Sequence, residues 1–247
     1  MPDTPSKSAG FLDHLEELRK RIIYALVALV AGAIVGIVFS QRLINFLTQP
    51  LHADLVFLTP SEALMTQLKV ALIAGALIAS PIIFYQFWRF IRPALHPGEA
   101  KYITWAVLFS TVFFAGGMAF AYLVMIPFGM KFLLSFETEK LHAMLSIKNY
   151  IGTVTGFMFA TGLVFQMPIV IFFLTKLGIV KPRMLMKHQR IAIVIILIVA
   201  AILSPPDVFS QILMAIPLLV LYELSVVGSF IAAGRQRASQ EGEVRAG

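Results

Sequence analysis

The chain has 247 residues, 59% of them hydrophobic and only 13% charged, with a mean hydropathy of +0.86. A water-soluble globule is excluded, because there is too little polar surface to cover so apolar a core. The net charge of +7 would suggest nucleic acid in a soluble protein, but here loop cations that fix a membrane topology account for it, and no nucleic-acid partner is expected. The absence of cysteine removes any disulfide framework or thiolate metal site.

In chain order, residues 1–10 are small, polar or charged and are expected to form a disordered cytoplasmic tail. They carry Asp3 and no apolar run, so no cleavable signal peptide is expected. In 11–22, Phe11, Leu15, Leu18 and Ile22 recur at helical spacing, while Asp13, Glu16, Glu17, Arg19 and Lys20 take other faces. This predicts a short amphipathic helix on the membrane interface, feeding the first span. Six apolar stretches follow, at 22–39, 68–87, 102–127, 150–174, 191–203 and 208–233. Crossing the hydrocarbon takes about 20 helical residues. The first stretch is slightly short and the next three are long enough. The fifth reaches only roughly 20 Å. The sixth starts just beyond it and is interrupted by Pro217. These two are short spans in a thinned bilayer or a hairpin that does not fully cross. Residues 234–247 form a second expected cytoplasmic tail, leaving 11–233 as a single transmembrane domain.

Of the twenty lysines and arginines, only Arg42, Lys69, Lys131, Lys140 and Lys148 fall in loops or span ends on one side. The other fifteen fall on the opposite side, which places both termini in the cytoplasm. The expected fold is an all-α integral membrane protein with six transmembrane helices, the fifth and sixth short. Pro81, Pro127, Pro168 and Pro217 lie in or at the ends of the spans and together suggest a curved, concave helical body.

Few polar groups interrupt the apolar framework. Gln166, two residues before Pro168, either lines a wet cavity or makes an interhelical hydrogen bond. The depth of Glu223 favours a carboxylate that reaches interfacial water. Asp207 follows Pro205 and Pro206, and an N-cap on the sixth helix explains it. The pairs Gly32–Gly36 and Gly152–Gly156 have helix-packing spacing. There is no phosphate-binding Gly-rich loop, no His-Glu-x-x-His and no Gly-x-Ser-x-Gly, so neither an enzyme nor a cofactor is expected.

The run His14-Leu15-Glu16-Glu17-Leu18-Arg19-Lys20-Arg21 resembles the N-terminal signature of the TatC family, the multi-spanning subunits of the twin-arginine protein translocase. Further matches follow in order: Pro50-Leu51 and 57–62, Ser80-Pro81, Tyr85-Gln86-Phe87-Trp88, Phe90-Ile91, Pro93-Ala94-Leu95 and Glu99. Near the end come Ser204-Pro205-Pro206-Asp207-Val208-Phe209-Ser210-Gln211 and Ile216-Pro217. The resemblance implies a receptor for signal peptides with paired arginines in a prokaryotic plasma (inner) membrane. It also implies partnership with the single-span subunits TatA and TatB, self-association in a multi-subunit complex among membrane lipids, and export of folded proteins driven by the proton-motive force.

The family's signal-recognition carboxylates map onto Glu17 and Glu99, with Leu15, Leu18, Arg19 and Phe90 as supporting motif positions. Physically, two adjacent arginines offer two planar forks, and carboxylates are their best partners. Composition alone would pair Glu17 with Arg21 and leave Glu99 solvated beside Lys101; the motif positions reverse that preference. Many family members carry glutamate where this chain has Gln166, so a titratable charge is absent there. The competing expectations are a secondary transporter for a small solute, which the missing inverted repeat disfavours, and a membrane scaffold.

Overall fold

The computed structural model describes residues 7–51, 55–94, 103–136, 145–204 and 207–246. The described chain is helical apart from one pair of two-residue strands. The first helix, α1 (Lys7–Val38), runs through 11–22 without a break. The expected separate interfacial helix is thus the opening turns of α1. No proline lies in α1, and no glycine falls between Phe11 and Ala31 to stop a helix once begun. The opposite end of the molecule begins with α2 (Ser40–Thr48), which buries Ile44 and Leu47 and exposes Gln41, Arg42 and Asn45.

Next come β1 (Leu55–Val56) and α3 (Pro60–Ile91). The third rod is α4 (Ile103–Phe120), a π-helical turn at Ala121–Met125, and α5 (Ile126–Leu134). Pro127 explains the wide turn: it lacks an N–H, and the helix re-closes through the Ile126 N–H to the Ala121 carbonyl. This rod continues to Leu134, beyond the expected limit at 127. Strand β2 (Leu145–Ser146) pairs in parallel with β1, Leu55 opposite Leu145 and Val56 opposite Ser146. The fourth rod is α6 (Ile147–Val164) and α7 (Met167–Lys176), separated by a turn at Phe165 and Gln166 just before Pro168. The short α8 (Pro182–Lys187), then α9 (Gln189–Leu203) and α10 (Val208–Ala246), complete the chain. Both stretches expected as disordered tails carry helix, at Lys7–Gly10 and at 234–246.

Five helical rods are long and apolar enough to cross a membrane, and α9 is shorter, at 15 residues. Rods one and two meet at their backbones: a Cβ at Gly32 would lie 2.6 Å from the Gly75 carbonyl oxygen, and one at Gly36 2.5 Å from that of Ala71. Gly32–Gly36 therefore packs helices as its spacing suggests. Gly156 does not, because a Cβ there would meet nothing. Three buried clusters hold the rest together. Ile44, Leu47, Tyr122, Tyr150 and Ile151 join α2 to rods three and four. Ala121, Ile196, Ala200, Met214 and Leu218 seat α9 and α10 against the π turn. Trp88, Ile103, Ala106 and Phe173 close the end from which α1 starts.

Candidate functional site

The cation-rich end is built where the first turns of α1 meet the last turns of α3. The His14 ring stacks on Phe90 with centroids 4.4 Å apart, which fixes the register of the two helices. Glu17 and Arg21, one turn apart, form an ion pair. The Arg21 Nε donates to Glu17 Oε1 at 3.1 Å, and Nη2 donates to the same oxygen. The third donor, Nη1, reaches Gln86 Oε1 of α3 at 3.3 Å. The Glu17 side chain keeps 34% of its surface exposed, whereas Arg21 keeps 15%. Among the described residues Glu17 Oε2 accepts no hydrogen bond, so the carboxylate has acceptor capacity left.

Glu16 is on another face and pairs with Lys20 at 2.8 Å, both largely exposed. Nearby, Arg89 Nη1 donates to the Tyr85 hydroxyl at 3.1 Å. The supporting motif residues divide: Leu15 and Arg19 are exposed, while Leu18 and Phe90 are half-buried. Glu99 lies outside the described residues, as do Pro205 and Pro206. The structure thus brings Glu17, Arg21, His14, Gln86 and Phe90 together. Gln86 and His14 escaped the sequence reading as site residues; Gln86 is 65 positions from its partner, and no local pattern signals that.

The remaining polar sites act within the frame. Gln166 Nε2 donates to the Ser110 carbonyl at 3.1 Å and to Gly162 at 3.4 Å, so its amide bridges α4 and the fourth rod. It also lines a mainly apolar cavity of about 260 Å³ with Met167, Ile196 and Leu218. Asp207 caps α10: its Oδ1 accepts the Ser210 N–H at 2.6 Å. Glu223 accepts from Gln189 Nε2 at 2.6 Å in exposed surroundings. Pro50 is half-buried at the turn after α2. Among the described residues no group of acids and histidines could hold a metal ion.

One glutamate was overlooked as a structural element. Glu62 is only 6% exposed, and its Oε2 accepts the Leu58 N–H at 3.2 Å and the Ser146 hydroxyl at 3.0 Å. Thr59 and Glu62 have capping-box spacing, but the carboxylate takes the N–H of Leu58, one residue before the cap, and so reaches back to the loop.

A bundle of membrane-length apolar rods, with a half-exposed carboxylate gripping a guanidinium at its cation-rich end, has the build of a multi-pass membrane protein. Residues 13–217 match the family described as Sec-independent protein translocase protein (TatC). Curated relatives of that description include those of Carboxydothermus hydrogenoformans, 40% identical over 91% of this chain and 95% of the relative, and Aquifex aeolicus, 38% identical over 93% and 98%. That of Desulforapulum autotrophicum is 38% identical over 96% and 90%. The crystal structure of the twin arginine translocase receptor TatC superposes with a TM-score of 0.79 at 39% identity, covering 89% of this chain and 99% of that one. The chain belongs to the TatC family of Sec-independent protein translocase proteins.

Proposed function

We propose that this chain is the receptor subunit of a twin-arginine translocase, binding the paired arginines of signal peptides on folded precursors. Glu17 and Glu99 take one guanidinium each. The observation that carries this reading is the grip of Glu17 on Arg21 through two nitrogens of one guanidinium, beside a second oxygen that stays open. Arg21 occupies the position that a peptide arginine needs, and it keeps a second partner in Gln86 when a peptide guanidinium takes its place on Glu17. The surrounding Arg19, Lys20, Arg89 and Arg92 would repel a cationic peptide anywhere else on this face.

The excess of cations at this end supports cytoplasmic termini and six crossings in the plasma (inner) membrane, with α9 as the short fifth. TatA, TatB and further copies of the chain complete the assembly, and the proton-motive force drives export. Site-specific cross-linking of a twin-arginine precursor to a Glu17→Ala, Glu99→Ala double variant tests the site. Loss of the cross-link with the protein still folded in the membrane is the expected result. An undiminished cross-link overturns the assignment.

A further inference from the structure

The end of the fourth rod and residues 230–234 of α10 enclose a second feature, unrelated to Glu17. The α7 helix stops at Lys176, and Gly178 adopts φ +74°, a backbone state natural only to glycine. The chain then turns back on itself, with the Ile179 and Val180 N–H groups both bonding to the Leu174 carbonyl. This reversal leaves a hollow of about 570 Å³ between the loop and α10. Val180, Phe230 and Ala233 give it an apolar wall, and Lys181 and Arg183, both exposed, stand at its rim.

The charge of this region is unbalanced. From Lys140 to Pro206 the sequence contains no acidic residue, although Lys181, Arg183, Lys187 and Arg190 fall within it. Glu223, the nearest acid along α10, is engaged with Gln189. A topology signal needs only cations in a loop. It does not need a hollow, nor an exposed phenylalanine lining that hollow with two cations. The hollow lies where the membrane-length stretches Ile147–Lys176 and Val208–Gly234 end, which in a bilayer sets its apolar wall toward acyl chains and its rim toward water. A guanidinium and an ammonium lining one hollow suit a phosphate oxygen.

We propose that this hollow binds the headgroup of an anionic phospholipid, with Lys181 and Arg183 on the phosphate and Phe230 against the upper acyl chain. The site rests on the chain's place in a membrane and not on the signal-peptide reading, so either can fail alone. The test reconstitutes the full chain in nanodiscs of equal parts phosphatidylglycerol and phosphatidylcholine, then counts lipids retained after detergent release by native mass spectrometry. Wild type retains phosphatidylglycerol in excess, and Lys181→Gln with Arg183→Gln lowers that excess about tenfold. Lys131→Gln with Lys148→Gln removes the same charge from the other end and leaves the excess intact. Size-exclusion and thermal-unfolding profiles verify that both variants fold. Equal retention of the two lipids, or an excess that survives in the first variant, overturns the site. Displacement of the lipid by excess inorganic phosphate also overturns it, because the hollow would then be a site for the free ion.

Discussion

Two glutamates, one at each end of the molecule, show how the same side chain can serve as frame or as receptor. Glu62 is buried, and its partners are a backbone N–H and a serine hydroxyl that come from the two short strands' segments. The Ser146 hydroxyl is buried and finds its partner only there, so Glu62 holds the loop before α3 to the start of α6. Glu17 is a third exposed, and its partner is a long side chain on its own helix. That partner is a flexible side chain with a second contact on Gln86 at 3.3 Å, so it can leave the carboxylate without moving either backbone. A carboxylate that must exchange one guanidinium for another needs such a partner, and a carboxylate that must fix two loops needs the other kind. The end with α2 follows the same rule as Glu62. Two carbonyls in the last turn of α2, at Phe46 and Leu47, take the hydroxyls of Tyr122 at 2.6 Å and Tyr150 at 3.0 Å, and that of Leu47 is one an isolated helix would leave open.

The comparison breaks most visibly at Glu62. Glu62→Leu orphans the buried Ser146 hydroxyl at about 1–3 kcal/mol and removes the partner of the N–H of exposed Leu58, so thermal unfolding of the purified protein should begin below wild type. An unchanged transition would mean that the strands need no carboxylate and that Glu62 is not a frame residue. Glu17→Ala should act in the opposite sense. Cross-linking to a precursor falls about tenfold, or about 1.4 kcal/mol, while stability moves by less than about 0.5 kcal/mol. A large loss of stability would move Glu17 into the same class as Glu62. Tyr150→Phe is the milder test of the frame: one carbonyl of α2 loses its donor, for about 1 kcal/mol by denaturation, with signal-peptide cross-linking unaltered.

What the chain disclosed in advance follows physical range. Apolar runs of membrane length and the bias of the cations are local properties, so the rod at 150–174 was legible to within three residues of Ile147–Lys176, whereas 68–87 marks only the apolar middle of Pro60–Ile91, whose first turns carry polar residues. The cap at Asp207 was legible too, since it needs only a short polar residue before an apolar helix. The unbroken α1 was misread because amphipathic patterning and helix continuity are separate signals, and only a breaker divides one helix from the next. The extension of rod three past Pro127 was missed because proline was taken as an end, whereas a single π-helical turn absorbs it. Gln86 beneath Arg21 and Ser146 on Glu62 were invisible, since each contact joins positions more than sixty residues apart. The residues of the Glu17 site were present as a motif, but their roles as partners exist only once α1 lies against α3.

Gln166 gives the smallest effect and the sharpest contrast with Glu17. Ser110 accepts twice at one point: its carbonyl takes the Gln166 amide at 3.1 Å, and its hydroxyl takes the Trp88 indole N–H at 2.9 Å. Trp88 is 2% exposed and rests on Phe173, so α3, α4 and α7 converge on one serine. Interhelical hydrogen bonds of this type average about 0.6 kcal/mol, and Gln166→Leu should cost roughly that, with no change in precursor cross-linking. Gln166→Glu asks a different question. An amide donates at every pH, but a carboxyl must keep its proton to donate to the Ser110 carbonyl. The glutamate variant should therefore be less stable than wild type at neutral pH and recover towards it in acid, whereas the leucine variant stays flat. If both variants show the same pH profile, the donor to Ser110 is not what Gln166 supplies, and the convergence at that serine rests on packing around Trp88 alone.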